Sequence, residues 1–433
     1  MTRRSAARIL DELAPLGIRL ELEPFRALLA ALGSPERDLA TVLVAGTNGK
    51  GTVAVLLASV ARAAGLRTGL YTSPHLERWE ERVRLDGDEI ESAALAEALE
   101  RVLAAVRDND LEMPTPFEAL TAAAFLLFRA AGVELAVLEV GLGGRLDATN
   151  AASPILAVVT RIALDHRELL GVEVAAIARE KAGIFRAGIP AVAGAQEDAA
   201  ARALAEAAQR IGAPLHSAAA EATVEAAQWR GLAGHRLLLR TPVARRLLDL
   251  PLAGEHQLDN AVTAVRAAEL LAARFPAIDD RAIARGLAGA RWPGRLEALA
   301  SPLPGVTVLL DAAHNPDGCT ALARFLARLG KSYVLVFGAL ADKQVEAMLP
   351  PLGAGARAVV LTRPPSPRAL APDALAPRAP AGVPVAIVPE PAAALARAFD
   401  YAMERNAELV VVAGSIYLVG AIRGGLPSAA SAC

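Results

Sequence analysis

The chain has 433 residues, of which 54% are hydrophobic and 21% charged, with a formal net charge of −2. That near-neutral balance excludes a general nucleic-acid binder and a polybasic membrane partner. The longest apolar stretch, 119–140, is broken by Arg129, Glu134 and Glu139, so no membrane span is expected.

Residues 1–10 contain arginines but no apolar segment follows them, so no signal peptide is read. The two cysteines, Cys319 and Cys433, cannot form a disulfide framework and point to a reducing, cytoplasmic setting. The chain is too long for one ordinary core, and two domains are expected.

In chain order, the first strong signal is an apolar strand, Leu39–Ala45, followed by Gly46-Thr47-Asn48-Gly49-Lys50-Gly51-Thr52. Glycines let backbone N–H groups turn toward an anion, and a following helix N-terminus adds its positive dipole end. Lys50 supplies a point charge for the β- and γ-phosphates, and the Thr52 hydroxyl can join a Mg²⁺ shell. Only Thr47 and Asn48 separate Gly46 from Gly49, a tighter spacing than the standard Walker A loop. The helix is supported by Val53, Leu56, Leu57, Val60, Ala61 and Ala64 at i, i+3, i+4, i+7 spacing, with Gly65 as its stop. Lysine is rare here: among 45 Lys+Arg, only Lys50, Lys181, Lys331 and Lys343 are lysine. The few that remain are candidates for work a guanidinium cannot do, although Lys331 and Lys343 also read as leftovers.

Next come a strand at 67–73, a polar crossover, a helix at 117–131 and strands at 134–140 and 155–160. A helix at 174–181 closes at Gly183, and another strand begins near Ile189. Residues 222–252 alternate short apolar and polar positions and read as hairpin-like strands before a long helix, 256–275. Arg291-Trp-Pro-Gly-Arg-Leu-Glu297 reads as a hinge, after which strands are expected at 306–311, 333–338, 358–362, 385–388 and 409–413. The expected fold class is therefore α/β. A P-loop ATPase domain with a mostly parallel sheet spans 1–296, and a smaller Rossmann-like α/β domain spans 297–433, ending in a small, polar tail from Gly424.

Ligands of open α/β sheets gather at the carboxyl ends of strands. Ser73, Glu139, the pair Asp165-His166, and Lys181 stand at or near such ends. Ser73 before Pro74 also reads as a turn residue, His166 as a capping group, and Lys181 as a complement to a helix dipole. Glu139, inside an apolar strand, must be paired, protonated or metal-bound if that strand is buried. Oxygen donors with one imidazole suit Mg²⁺ better than zinc. Gly141-Leu-Gly-Gly144 lacks the third glycine of a dinucleotide fingerprint and opens no helix, so NAD binding is not expected.

Together these segments resemble the folylpolyglutamate synthase and dihydrofolate synthase family of the Mur ligase superfamily. The resemblance runs in order through 45–52, 71–76, 81–84, 138–150, 163–166, 179–186, 254–261, 292–297, 311–316, 340–343 and 413–420. It implies that Gly46, Thr47, Asn48, Gly49, Lys50, Gly51 and Thr52 hold the ATP phosphates, with Asn260, Arg295 and Asp311 as further nucleotide contacts. Thr52, Ser73, Glu139 and His166 would form two Mg²⁺ sites. Lys181 matches the family's carbamylated lysine, a modification that an arginine cannot carry, and Lys50, Lys181 and His314 would be catalytic. Leu22, Glu23, Thr115, Phe117, Leu146, Asp147 and Ala148 match segments lining the family's dihydropteroate pocket.

The implied reaction is ATP-dependent: a carboxylate becomes an acyl phosphate, and the amine of L-glutamate displaces phosphate. The acceptors would be dihydropteroate and folates, and the enzyme a monomer. Two departures stand out. Leu22-Glu23-Pro24-Phe25 lacks the arginine usual in the pterin segment, and Arg167 follows His166 where a threonine is common. The alternative is a folylpolyglutamate synthase without dihydrofolate synthase activity. Peptidoglycan Mur ligases, which carry a further domain before the phosphate loop, fit less well. A dead nucleotide-binding module would be expected to have lost Lys181 or the metal ligands.

Overall fold

The structure is a computed structural model that describes residues 4–165, 168, 171 and 173–426. His166, expected as a metal ligand, and the end of the tail, 427–433, lie outside these residues.

The larger lobe is built on a sheet of eight strands: β1 (Thr41–Ala45), β2 (Thr68–Tyr71), β3 (Val83–Leu85), β4 (Asp88–Glu89), β5 (Leu135–Glu139), β6 (Pro154–Val159), β7 (Ala191–Ala193) and β8 (Leu215–Ser217). Their spatial order is β4-β3-β2-β5-β1-β6-β7-β8. All neighbours pair in parallel except β2–β3 and β3–β4, an antiparallel edge. The central strands β1 and β5 are buried along their whole length, as continuous Val/Leu/Ala runs require when helices cover both faces.

The stretch between β2 and Thr115 is more structured than a polar crossover. It makes β3, β4 and the helix Ser92–Asp108, whose Leu95, Leu99, Val102 and Val106 pack into the core. β2 ends at Tyr71 rather than Ser73, with one further rung of its antiparallel pairing made by Thr72 N donating to Arg82 O (2.9 Å). β7 begins at Ala191, since Pro190 has no N–H for a ladder.

β9 (Thr223–Trp229), β10 (His235–Arg240) and β11 (Arg245–Leu250) form the antiparallel sheet expected over 222–252. Leu237, Leu239, Leu248 and Leu250 share its buried face with the helix His256–Leu271. That helix ends a turn before Phe275, where Pro276 restricts the preceding residue.

The smaller lobe has β12 (Glu297–Ala300), β13 (Thr307–Leu310), β14 (Tyr333–Phe337), β15 (Ala358–Leu361), β16 (Val385–Ile387) and β17 (Leu409–Ala413), ordered β12-β13-β17-β14-β15-β16. Its pairs are parallel apart from β12–β13. No helix among the described residues is long and apolar enough to cross a membrane.

Candidate active site

The phosphate loop leaves β1 at the middle of the large sheet. Val44 pairs with Glu139 on β5, and Ala45 with Val159 on β6, so three carboxyl ends converge there. The loop is held by its own amides. Thr47 N and Asn48 N donate to Arg161 O (2.9 and 3.1 Å), and Thr160 Oγ1 donates to Asn48 O (2.8 Å). Gly46 and Gly49 have φ of +147° and +88°. A Cβ at Gly46 would collide with Thr160 Oγ1, and one at Gly49 with Asn260 Oδ1, so these positions need glycine for shape as well as for φ. Helix Lys50–Ala63 has no side-chain cap at its start, which leaves its first amides facing the space above the loop.

That space is a cavity of about 230 Å³, lined by the whole loop together with Ser73, Glu139, Lys181, Asn260, Arg295, Asp311 and His314. Glu139 is buried, and among the described residues its hydrogen-bond donor is Ser73 N (3.1 Å), with no ion-pair partner. Burial raises its carboxyl pKa, opposed first by the charge of Lys50 and then by the Ser73 amide. A buried carboxylate without a matched cation, beside the Thr52 and Ser73 hydroxyls, is a hard oxygen donor set suited to Mg²⁺. No group of three His, Cys, Asp or Glu able to hold a metal occurs among the described residues, so phosphate oxygens and water would complete the shell.

Lys181 ends helix Val174–Lys181 and is buried, its Nζ donating to Gly46 O (2.7 Å). Burial, aided by the nearby charge of Lys50, lowers its pKa to about 7. Asn260 Nδ2 donates to Gln257 Oε1 (2.9 Å), which turns Oδ1 toward Gly49. Asp311 accepts from Leu296 N and Ala313 N, both at 2.9 Å, so its carboxylate clamps the hinge to the smaller lobe. His314 Nδ1 is 2.9 Å from Ala312 O, and Nε2 lies 3.6 Å from Asp165.

A second cavity, about 290 Å³, adjoins the first and contains Thr115, Phe117, Leu146, Asp147 and Ala148 in its wall. Thr115 caps helix Pro116–Ala130 in a reciprocal pair with Glu118. Asp147 accepts from Leu142 N and Thr149 N and so folds the 141–149 loop. Ser73, Pro74, Gly141, Leu142, Arg295 and His314 line both cavities and form the wall between them.

Leu22 and Glu23 do not line the second cavity; the N-terminal segment reaches it through Gly17–Leu20. Leu22 is buried at the start of helix Glu23–Ala31, and Glu23 is solvent-facing and paired with Arg26 (2.6 Å). Pro24 sits in that helix's first turn, where a missing N–H costs nothing.

Arg161, Asp317 and Lys343 line the cavities but carried no assigned role in the sequence. Asn48 Nδ2 donates to Asp317 (2.7 Å), Arg161 pairs with Asp317 (3.0 Å), and Lys343 pairs with Asp165 (2.8 Å), all between lobes. The scarcity of lysine was a signal for Lys343; Arg161 and Asp317 are unremarkable among so many charged residues. Lys331 is a surface lysine near Glu408 (3.4 Å).

Residues 44–268 match the Mur ligase middle domain and 294–416 the Mur ligase glutamate ligase domain. The chain is 39% identical over 373 residues to the dihydrofolate synthase/folylpolyglutamate synthase of Mycobacterium tuberculosis, spanning 81% of this chain and 75% of that one. It is 38% identical over 353 residues to the folylpolyglutamate synthase of Lacticaseibacillus casei (79% and 81%). A probable bifunctional folylpolyglutamate synthase/dihydropteroate synthase of Halobacterium salinarum is 39% identical over 356 residues, but the match spans only 42% of that longer protein. Among solved structures, M. tuberculosis folylpolyglutamate synthase complexed with ADP superposes with a TM-score of 0.87 at 35% identity, covering 96% of each chain. Escherichia coli FolC in complex with DHPP and ADP gives 0.85 at 32% identity, covering 98% of this chain and 97% of that one.

Proposed function

The chain belongs to the folylpolyglutamate synthase/dihydrofolate synthase family of Mur ligases, and from that premise we propose that it is an ATP-dependent ligase adding L-glutamate to dihydropteroate and to folates. The observation that carries this reading is the shared wall. A nucleotide cavity and an acceptor cavity meet at Ser73, Arg295 and His314, where a γ-phosphate and a carboxylate can face each other.

Carboxylates do not react with amines at neutral pH. Transfer of the γ-phosphoryl group to a carboxylate oxygen breaks the bond to ADP and makes an acyl phosphate. The glutamate amine then attacks the acyl carbon, loses a proton, and phosphate leaves as the amide forms. Lys50 and the open amides of helix Lys50–Ala63 stabilise the moving negative charge. Thr52, Ser73 and Glu139 would hold Mg²⁺, which neutralises phosphate charge. His314 and Arg295, at the shared wall, orient the reacting groups. Residues 1–296 and 297–433 serve as the two halves of the site, and closing them excludes water.

Lys181 is suited to carbamylation. Its lowered pKa leaves a substantial neutral fraction at physiological pH, and the neutral Nζ can bond to CO₂ with loss of a proton. The resulting anion would face Lys50. A monomer is the proposed state, and the buried free thiol of Cys319 fits a reducing cytoplasm.

The test is ATP-dependent incorporation of labelled glutamate into dihydropteroate and monoglutamyl tetrahydrofolate in parallel, with Mg²⁺ and bicarbonate present. Product from both is expected. Product from the folate alone would replace the dual assignment with a polyglutamate synthase, and none from either would overturn the acceptor class.

A further inference from the structure

Most cations of the acceptor cavity are already matched. Arg19 pairs with Glu112 (2.6 Å) and lies 3.4 Å from Glu118, and Lys343 pairs with Asp165 (2.8 Å). Arg368 is exposed at the rim, and Arg295 belongs equally to the nucleotide cavity.

Arg82 is different. Its Nε donates to His75 Nδ1 (2.9 Å), and its guanidinium lies over the Trp79 ring, 4.4 Å from the centroid. Among the described residues no carboxylate stands within ion-pair distance of it, and neither Nη has a hydrogen-bond acceptor. His75 is no counter-ion: an imidazole carries no negative charge, and here it offers Arg82 Nε only the lone pair of Nδ1. A partly buried guanidinium with a free fork, held rigid on an aromatic face, is arranged to receive an anion from outside the protein.

Its position says which anion. Arg82 O accepts from Thr72 N (2.9 Å), and the next pair in that ladder is Tyr71 with Val83. Arg82 therefore sits one strand, about 4.8 Å, to the side of the segment that ends in Ser73 at the reacting wall. Arg82 and the Ser73, Arg295 and His314 wall line one cavity, so an anion on Arg82 shares that cavity with the reacting carboxylate.

We propose that Arg82 binds the α-carboxylate of the terminal glutamyl unit of a folate acceptor and so presents its γ-carboxylate, rather than the α, at the Ser73–Arg295–His314 wall. This rests on the acceptor reading above and deepens it. A folate ends in two carboxylates, and the enzyme must hold one while it activates the other. Dihydropteroate has a single carboxylate, which has to react, and makes no such demand on Arg82.

The experiment is a double-mutant cycle between protein and substrate. Wild type, Arg82→Gln and Arg82→Lys are each assayed with monoglutamyl tetrahydrofolate and with its analogue bearing a carboxamide in place of the α-carboxylate. A charge-assisted bond predicts that amidation lowers wild-type kcat/KM by about ten- to a hundredfold. The same amidation should cost the Gln variant less than about threefold, with Lys between them. Losses that simply multiply in the cycle, or a wild type indifferent to amidation, would overturn the proposal. A purely structural role in holding Trp79 and His75 predicts that multiplicative result, because both substrates would suffer equally. Should Arg82→Gln fail to fold, the Lys variant and the wild-type amidation response decide the matter. Wild-type turnover of neither folate would instead fall on the acceptor reading and remove this inference with it.

Discussion

A lysine that is buried and neutral near pH 7 leaves a measurable trace. The Lys181 pKa falls from 10.5 to about 7 on folding, so between those values the unfolded chain binds a proton that the folded one does not. Stability therefore rises with pH across that window, and the cost of burying the ammonium is fully present below pH 7. In CO₂-free buffer Lys181→Met should raise the thermal midpoint at pH 6.5, and this gain should shrink steadily toward pH 10. A gain that does not vary with pH would refute the shift. Activity should depend on added bicarbonate and fall as pH drops through about 7, because an ammonium cannot bond to CO₂. At the same scale, Lys50→Ala should lower kcat by about a hundredfold or more with an unchanged circular dichroism spectrum. Normal turnover in that variant would sink the phosphoryl-transfer assignment.

Elements are tied together by buried charge as well as by leucines. The three-stranded sheet meets helix His256–Leu271 at Glu269, whose side chain is 2% exposed and contacts both Arg246 of β11 and Arg266. Arg246 also reaches Asp280, and Arg266 reaches Glu221. Removing Glu269 would leave two buried guanidinium groups with one fewer counter-ion. Glu269→Ala is expected to cost about 3–5 kcal/mol in urea unfolding, far more than loss of a surface pair. Thr115 illustrates a smaller local effect. It caps helix Pro116–Ala130, so Thr115→Ala should cost about 1 kcal/mol; a neutral result would show that Glu118 alone suffices.

For the whole molecule, the two lobes touch through polar bridges beside the nucleotide cavity. Asp317 of the smaller lobe receives both Asn48 of the phosphate loop and Arg161 of the loop that follows β6. Elsewhere, Arg328 stacks on Trp229 at 4.5 Å, and Arg423 joins Glu77 (2.5 Å) to Glu297 (3.0 Å). Asp317→Ala should release the central bridge and enlarge the radius of gyration of the nucleotide-free protein in X-ray scattering, with little change in thermal midpoint. An unchanged radius would show that the flanking contacts alone hold the lobes.

Much of this architecture was legible in the chain because it rests on local rules. The strand–loop–helix of 41–63, the apolar runs of β5, β14 and β17, and helix Val174–Lys181 each declare themselves through periodicity and glycine placement. Residue chemistry marked Lys50, Glu139 and Lys181, since a carboxylate in a valine-rich strand and a lone lysine in an arginine-rich chain need reasons. Only the tertiary structure decided which charges are satisfied. That Lys343 is matched by Asp165, that Asp311 is spent on backbone amides, that Leu22 and Glu23 face away from the acceptor cavity, and that Arg82 keeps an open fork all depend on side chains far apart in sequence. Short-range pattern reports which face of an element is buried; long-range pairing reports what each buried charge finds there, and that is set by the packing of the two lobes.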